Sequence, residues 1–224
     1  MTTTSRPALM FDVHGSTDRL TVASFDLVVA GYTGRDEGSV QRHIEELAAI
    51  GIAPPQSVPT FYELDSDLVT QADAVDVTGT NTSGEVEPVI VRSRGKVYVT
   101  VGSDHTDRTI ERTSVLDSKA ACPKPVGRTV IPVPDDLDWD TIRGQCSVDG
   151  AIYQDGTLDA LLRPTDVLRM YDDRAGNHHD LVLFGGTLPL IDGAFVAGSD
   201  WAMSMTWPAG LVLDLTYSIT VTPR

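Results

Sequence analysis

The stretch NTSGEVEPVIVRSRGKVYVTVGSDHTDR, Asn81 to Arg108, places carboxylates where an apolar strand begins and where its return strand ends. Strand side chains alternate faces, so Glu85 and Glu87 point the same way, about 6.5–7 Å apart, with Val86 and Val89 expected on the opposite side. RSRG reads as a hairpin turn, and the returning VYVTVGSDHTDR brings Asp104 back towards both glutamates. Three clustered carboxylates repel one another unless a cation sits among them. Oxygen-only donors suit a hard ion, Mg²⁺ or Mn²⁺, better than zinc. Three protein ligands leave positions open for water or substrate, as a Lewis-acid catalyst requires. A solvated strand face would also carry E-x-E. Pro88, which opens the strand start, and the crowding of Asp104, His105, Asp107 and Arg108 favour a site.

A second candidate lies on a helix. DEGSVQRHIEELAAIG places Val40, Ile44, Leu47 and Ile50 on one face, with Gly51 as its stop. His43 and Glu46, three apart, share a side of that helix. They read either as a half-buried histidine held by its neighbour or as a dyad. In the dyad Glu46 raises the basicity of His43, a general base near neutral pH. Glu45 projects away. Arg108 and Lys119, taken alone, read as surface cations, and His178 and His179 in RAGNHHDL as plain surface.

The elements that must position these residues are mostly strands. LTVASFDLVVAGYTG predicts strands ending at Gly31 or Gly34, a short strand surrounds Phe61, and residues 73–101 are β. SKAACPKPVG reads as a loop because of Pro123 and Pro125. TIRGQCSVDGAIYQDG is a hairpin turning at Asp149-Gly150, and TLDALLRPTDVLRMY two short helical turns split at Pro164. HDLVLFGGTLPLIDGAFV and AMSMTWPAGLVLDLTYSITV supply further strands. Many short strands with little helix indicate one mainly β (α+β) domain spanning 1–224, a closed or strongly curved sheet system with few short helices.

The chain has 224 residues, 41% hydrophobic and 22% charged, with a formal net charge of −15. That composition is globular. Such a field disfavours nucleic acid and anionic membrane surfaces, yet admits an anionic small molecule where a bound cation reverses the local sign. Two cysteines are too few for a disulfide framework and are expected as separate thiols. No apolar run approaches ~18 residues and MTTTSRPALMFDVHG lacks a signal-peptide pattern, so a soluble cytoplasmic protein is expected.

Five stretches in order resemble the fumarylacetoacetate hydrolase superfamily, in its C-terminal catalytic domain. They are Glu85-Val86-Glu87; Asp104 to Arg108 (DHTDR); SKAACP with Lys119; YQDGTLDALL with Gln154 and Gly156; and HDLVLFGGTLP with Thr187. The resemblance runs from about Tyr32 to the C-terminus, after an N-terminal strand region of residues 1–30. It implies a mixed β-sandwich or β-roll and a homodimer. It also implies Mg²⁺ (or Mn²⁺) on Glu85, Glu87 and Asp104. His43 and Glu46 become the dyad that closes over the metal and activates water. Lys119 becomes the partner of a developing enolate, and Arg108, Gln154 and Thr187 become substrate contacts, Arg108 alternatively bracing Asp104. Three departures stand out. Only 17 positions separate Glu87 from Asp104; GRDEGSVQRH lacks the tyrosine of the family's G-R-x-Y; and Phe184 precedes Gly185, where the family has a polar residue. These departures are expected to touch substrate contacts more than metal ligands.

The reading is a divalent-metal enzyme acting on a small 2-oxo or 1,3-dicarbonyl acid, with C–C bond hydrolysis of an acylpyruvate as the leading reaction. The same site without an attacking water gives decarboxylation, isomerisation, hydration or dehydration. A non-catalytic metal or metabolite binder is the rival from another class. The C-terminal LVLDLTYSITV, rich in apolar residues, adds to the expectation of a dimer.

Overall fold

FDLVVAG, VEPVIVRS, KVYVTVGS and LVLF are near-continuous apolar runs, the pattern of strands covered on both faces, and all four become central strands. The computed structural model describes residues 8–49, 53–176 and 178–223, with the side chains of His43, Glu46 and Leu47 outside the described set. In chain order, β1 (Leu9–Val13), β2 (Arg19–Val22) and β3 (Asp26–Gly31) lead to helix α1 (Glu37–Ala49). Next come β4 (Thr60–Leu64), β5 (Val69–Thr70), β6 (Ala74–Thr78), β7 (Thr82–Ser83), β8 (Val86–Ser93) and β9 (Lys96–Ser103). After β10 (Thr106–Asp107) come the short helices α2 (Arg108–Glu111) and α3 (Val115–Ala120), then β11 (Lys124–Pro125) and β12 (Thr129–Pro132). The last third holds β13 (Arg143–Val148), β14 (Ala151–Thr157), helix α4 (Pro164–Ala175), β15 (Leu181–Phe184), β16 (Asp200–Thr206) and β17 (Val212–Thr222).

An eight-stranded sheet runs β2-β1-β12-β9-β8-β15-β3-β4, and a five-stranded sheet runs β14-β13-β16-β17-β6. Both are mixed: β15 lies parallel to β3, β1 to β12 and β17 to β6. Alternation divides the core in two. Val28, Ala30, Val86, Ile90, Val99, Val101, Leu181 and Leu183 pack with Trp201, Met203 and Leu213 of the five-stranded sheet and with Leu168 and Tyr171 of α4. Leu27, Val29, Val89, Val91, Val182 and Phe184 face the other way and meet Leu9 and Phe11 from the far side of the same sheet. The large sheet thus curls over its own second face. This is the mainly β, curved architecture expected from the strand pattern.

Both expected hairpin turns form. Arg94 and Gly95 (φ 51° and 75°) join β8 to β9, and Asp149 and Gly150 (φ 49° and 82°) join β13 to β14. Positive φ at both central residues is the type I′ geometry that matches strand twist. Cys122 and Cys146 are buried free thiols. Among the described residues no helix is long and apolar enough to cross a membrane.

Four expectations change. Val86 and Val89 do not share a face: Val86 joins Ile90 in one half of the core, Val89 joins Val91 in the other, since side chains repeat every two residues. SKAACPKPVG is only partly loop, because Ser118 to Ala120 finish α3, capped by the Ser114 side chain, and Lys124-Pro125 pairs with β5. Pro164 does divide two helical stretches, a 3₁₀ turn at Leu158–Ala160 and a helix after it, but the second is longer than expected. The proline opens the twelve-residue α4, where its missing N–H costs nothing. Leu213, Leu215 and Tyr217 of β17 are buried in this chain's own core, so less of that strand's apolar surface is left to bury than expected, with Val212 and Val221 still exposed. The helix stop expected at Gly51, and Ile50 of the apolar face, lie outside the described residues.

Candidate active site

The β8–β9 hairpin closes tightly, with Val86 opposite Ser103, so the chain leaving β9 lies against the residue entering β8. The Asp104 N–H donates to the Glu85 carbonyl at 3.1 Å. Glu85, Glu87 and Asp104 are all buried, Asp104 completely. The short spacing between Glu87 and Asp104 is therefore the length of one regular hairpin, and it brings the expected trio to one end of the central strands.

Cations and one backbone N–H hold these carboxylates. The Lys119 Nζ, near the end of α3, donates to Asp104 Oδ2, and the Lys124 Nζ lies 3.1 Å from Asp104 Oδ1. Arg108 pairs through Nη2 with Glu85 Oε2 at 3.0 Å and through Nη1 with Glu111 at 3.0 Å, while its Nε donates to Ser83 Oγ at 2.6 Å. Glu87 accepts from the Gly186 N–H at 2.8 Å and has no ion-pair partner among the described residues. Gly186 has φ 101°, and a Cβ there would lie 1.7 Å from Thr33 Oγ1. No other residue could bring its N–H to Glu87 in this way.

Burial opposes ionisation here, and the neighbours decide the outcome. Burial pushes the Asp104 carboxyl up, but Lys119 and Lys124 outweigh it and hold the pKa below the usual carboxylate range. Glu87 goes the other way: burial, then the Asp104 charge, raise it well above the usual range. Burial also raises Glu85, with Arg108 opposing. Burial would lower Lys119, but Asp104, Glu85 and Glu87 raise it overall, so it stays an ammonium.

The remaining expected residues fall in different places. Gln154 accepts from the Val86 N–H at 2.9 Å and donates to Thr187 Oγ1 at 2.8 Å and the Leu188 carbonyl at 2.6 Å. It is fully buried and clamps β14 to β8 and to the chain after β15. Thr187, half-buried, donates to the Val86 carbonyl at 3.2 Å. Arg108 braces Glu85 rather than Asp104, and the Phe195 ring covers its guanidinium at 3.6 Å. Phe184 is a fully buried core side chain and touches no open site, because its strand is covered on both faces. The side chains of His43 and Glu46 lie outside the described residues; α1 itself is formed. Glu45 is exposed and accepts from Gln41, and His178 and His179 are exposed.

Several residues escaped the sequence reading. Lys124, between two prolines, looks like surface, and nothing local signals that β11 is drawn against β5 into the interior. His105 is fixed by Tyr217 Oη at 2.8 Å on Nδ1 and Thr82 Oγ1 at 2.9 Å on Nε2. Burial first, then Lys124 and Arg108, push its pKa down to about 3, so it is a neutral tie beneath the cluster. Tyr62 lies with its ring 5.9 Å from the Lys119 ammonium and is hydrogen-bonded to Tyr32. Burial, with Tyr32 next, pushes the Tyr62 pKa up to about 12. Two phenols thus stand beside Lys119, supplied from the end of β3 and from β4 rather than from a G-R-x-Y stretch. Their signal was the strand pairing that sets Tyr62 opposite Val29.

Among the described residues, no three His, Cys, Asp or Glu side chains already converge as a metal shell. The donor chemistry nevertheless fits a hard divalent cation. Glu85, Glu87, Asp104 and Glu111 face three cations, Arg108, Lys119 and Lys124, which leaves one carboxylate in excess. Glu87 is that group, buried with a single N–H donor; its ionisation is disfavoured there without a partner, and a cation beside it would supply one.

No curated protein matches the chain in sequence. Among solved structures, fumarylpyruvate hydrolase from Pseudomonas aeruginosa, in complex with Mn²⁺ and pyruvate, is similar at TM-score 0.65 and 17% identity, over 97% of each chain. A yeast fumarylacetoacetate hydrolase family protein is similar at TM-score 0.64 and 14% identity, over 89% of this chain and 94% of that one. 5-Carboxymethyl-2-hydroxymuconate delta-isomerase from Mycobacterium smegmatis is similar at TM-score 0.61 and 15% identity, over 93% and 84%. The chain has the fold of the fumarylacetoacetate hydrolase superfamily. Its own sequence family is narrower: the model described as "Protein of unknown function (DUF2848)" matches residues 30–217, and the chain belongs to that family.

Proposed function

We propose that this protein is a divalent-metal-dependent enzyme acting on a small 2-oxo or 1,3-dicarbonyl acid, with hydrolysis of a C–C bond as the leading reaction. The observation that carries this reading is the buried trio Glu85, Glu87 and Asp104 with Lys119 at its edge. Support comes from a fold shared with a fumarylpyruvate hydrolase and with a 5-carboxymethyl-2-hydroxymuconate delta-isomerase. Glu85, Glu87 and Asp104 would hold Mg²⁺ or Mn²⁺. Once bound, such an ion supplies Lewis-acid stabilisation of the charge that develops on the substrate's 2-oxo oxygen.

The chain's own residues do the rest. The Lys119 ammonium leaves Asp104 Oδ2 and turns to the substrate's carboxylate or enolate oxygen, with Tyr32 and Tyr62 beside it. A ring nitrogen of His43 takes a proton from water, whose oxygen bonds to the distal carbonyl carbon, and Glu46 orients the ring. The C–C bond then breaks, its electron pair passes to the departing enolate, and that enolate takes up a proton. Isomerisation is the second reading, favoured by the fold shared with an isomerase. It needs the enolate and Lys119 but no attacking water.

A panel of acylpyruvates, oxaloacetate and 2-oxo-3-deoxy sugar acids, each assayed with Mn²⁺ and with chelator, tests the reading. Metal-dependent turnover of one class is the expected result. A panel with no metal-dependent turnover would leave a binding protein in its place.

A further inference from the structure

Two lysines share one carboxylate at the centre of the site, and they are held differently. Lys124 is fully buried, with Nζ 3.1 Å from Asp104 Oδ1 and 2.6 Å from the His105 carbonyl oxygen. A fully buried lysine is rare and persists only when paired. Its strand is fixed by pairing with β5, and its second acceptor belongs to a residue whose ring is pinned at both nitrogens by Thr82 and Tyr217. Lys119 takes the other oxygen, Oδ2, from the end of a short helix, and it retains 8% exposure. One lysine is built in; the other stands at the rim.

We propose that Lys124 is a positioning residue that makes Asp104 a one-oxygen ligand. By holding Oδ1 it leaves Oδ2 as the oxygen offered to the site, where the Lys119 ammonium and a divalent cation exchange places. The inference rests on the metal reading above and deepens it. A carboxylate oxygen tied to a buried ammonium is a poorer and less free donor to a metal, so chelation through both oxygens is disfavoured. Ca²⁺ takes six to eight oxygens and readily uses both oxygens of a carboxylate, whereas Mg²⁺ demands near-octahedral geometry at about 2.0–2.1 Å. Lys124 therefore biases the site towards the smaller ions.

The full-length protein tests this in two variants, with Mn²⁺ uptake followed by electron paramagnetic resonance and Ca²⁺ by competition against it. Lys124→Gln frees Oδ1, and the Ca²⁺-to-Mn²⁺ preference should move towards Ca²⁺ by about tenfold or more, the scale of ligand-supporting partners. Lys124→Arg keeps the buried charge, but a guanidinium fork grips both carboxylate oxygens together. Mn²⁺ affinity should then fall about 10–100-fold while the melting temperature holds. Simple charge neutralisation gives the opposite result for Lys124→Arg, wild-type Mn²⁺ binding. If Lys124→Gln does not fold, Lys124→Arg decides alone. Wild-type affinity and ion preference in Lys124→Arg overturn the inference, as does an unchanged preference in folded Lys124→Gln. A wild type that takes up no Mn²⁺ overturns the metal reading itself, and this is seen before any variant is compared.

Discussion

The carboxylate pocket and helix α1 are built in opposite ways. Glu85, Glu87 and Asp104 sit at one end of two central strands, buried, each with a named hydrogen-bond or ion-pair partner. On α1, Val40 and Ile44 are only half-buried, and Ser39, Gln41, Arg42 and Glu45 are exposed. Among the described residues its side-chain hydrogen bonds run within the helix or to its own start, as from Gln41 to Glu45, from Arg42 to Ser39 and from the Ser39 N–H to Asp36. Charge placed in a core must be partnered as the chain folds, whereas a surface helix with a narrow apolar face is held weakly. The pocket is thus the fixed half of the proposed site, and α1 the half whose placement depends on what it packs against.

That contrast can be broken most severely from the fixed half. Replacing Glu87 by Gln should abolish both Mn²⁺ uptake and metal-dependent turnover while the protein stays folded, since Gln still accepts from the Gly186 N–H. Calorimetric Mn²⁺ titration beside thermal melting checks this. From the other half, His43→Gln should lower kcat by about 10²–10⁴-fold, the usual contribution of a general base. It should leave Mn²⁺ affinity unchanged, because His43 is not a proposed ligand. Full turnover in that variant would make α1 packing rather than chemistry and would favour the isomerase reading. Lys119→Met should cost about 10²–10³-fold in rate, as loss of one charge-stabilising donor does, and should raise KM as well. Glu46→Gln should lose less than His43→Gln, since Glu46 only orients the ring.

The smallest expected effect on rate sharpens the comparison beneath the pocket. Tyr217 joins Ser103 and His105, each at 2.8 Å. Tyr217→Phe leaves two buried polar groups without that partner and should destabilise the fold by about 1–3 kcal/mol. Urea denaturation should show the loss while kcat stays close to wild type. A large fall in kcat at unchanged stability would give the His105 network a chemical role.

The same contrast explains which features are legible in the sequence. Strand periodicity located β8, β9 and their turn, so the E-x-E face and the returning Asp104 followed from local rules. Arg108 and Lys119 were found only through resemblance, because no local rule separates a buried cation from a surface one. Lys124 was lost altogether: its burial comes from pairing with β5, more than fifty residues earlier in the chain. Gln154 was expected at substrate, yet its amide is consumed in joining three backbone and side-chain groups. A glutamine in a strand gives no sign of which partners will meet it. Tyr62 entered through sheet order, which the sequence does not state.

Titration of the wild-type protein with Mn²⁺, followed by electron paramagnetic resonance, tests the central claim most directly. One tight Mn²⁺ per chain is expected, displaced by Mg²⁺ and lost in the Glu87→Gln and Asp104→Asn variants. A free-ion spectrum unchanged by the folded wild type, or binding that survives both substitutions, would contradict it.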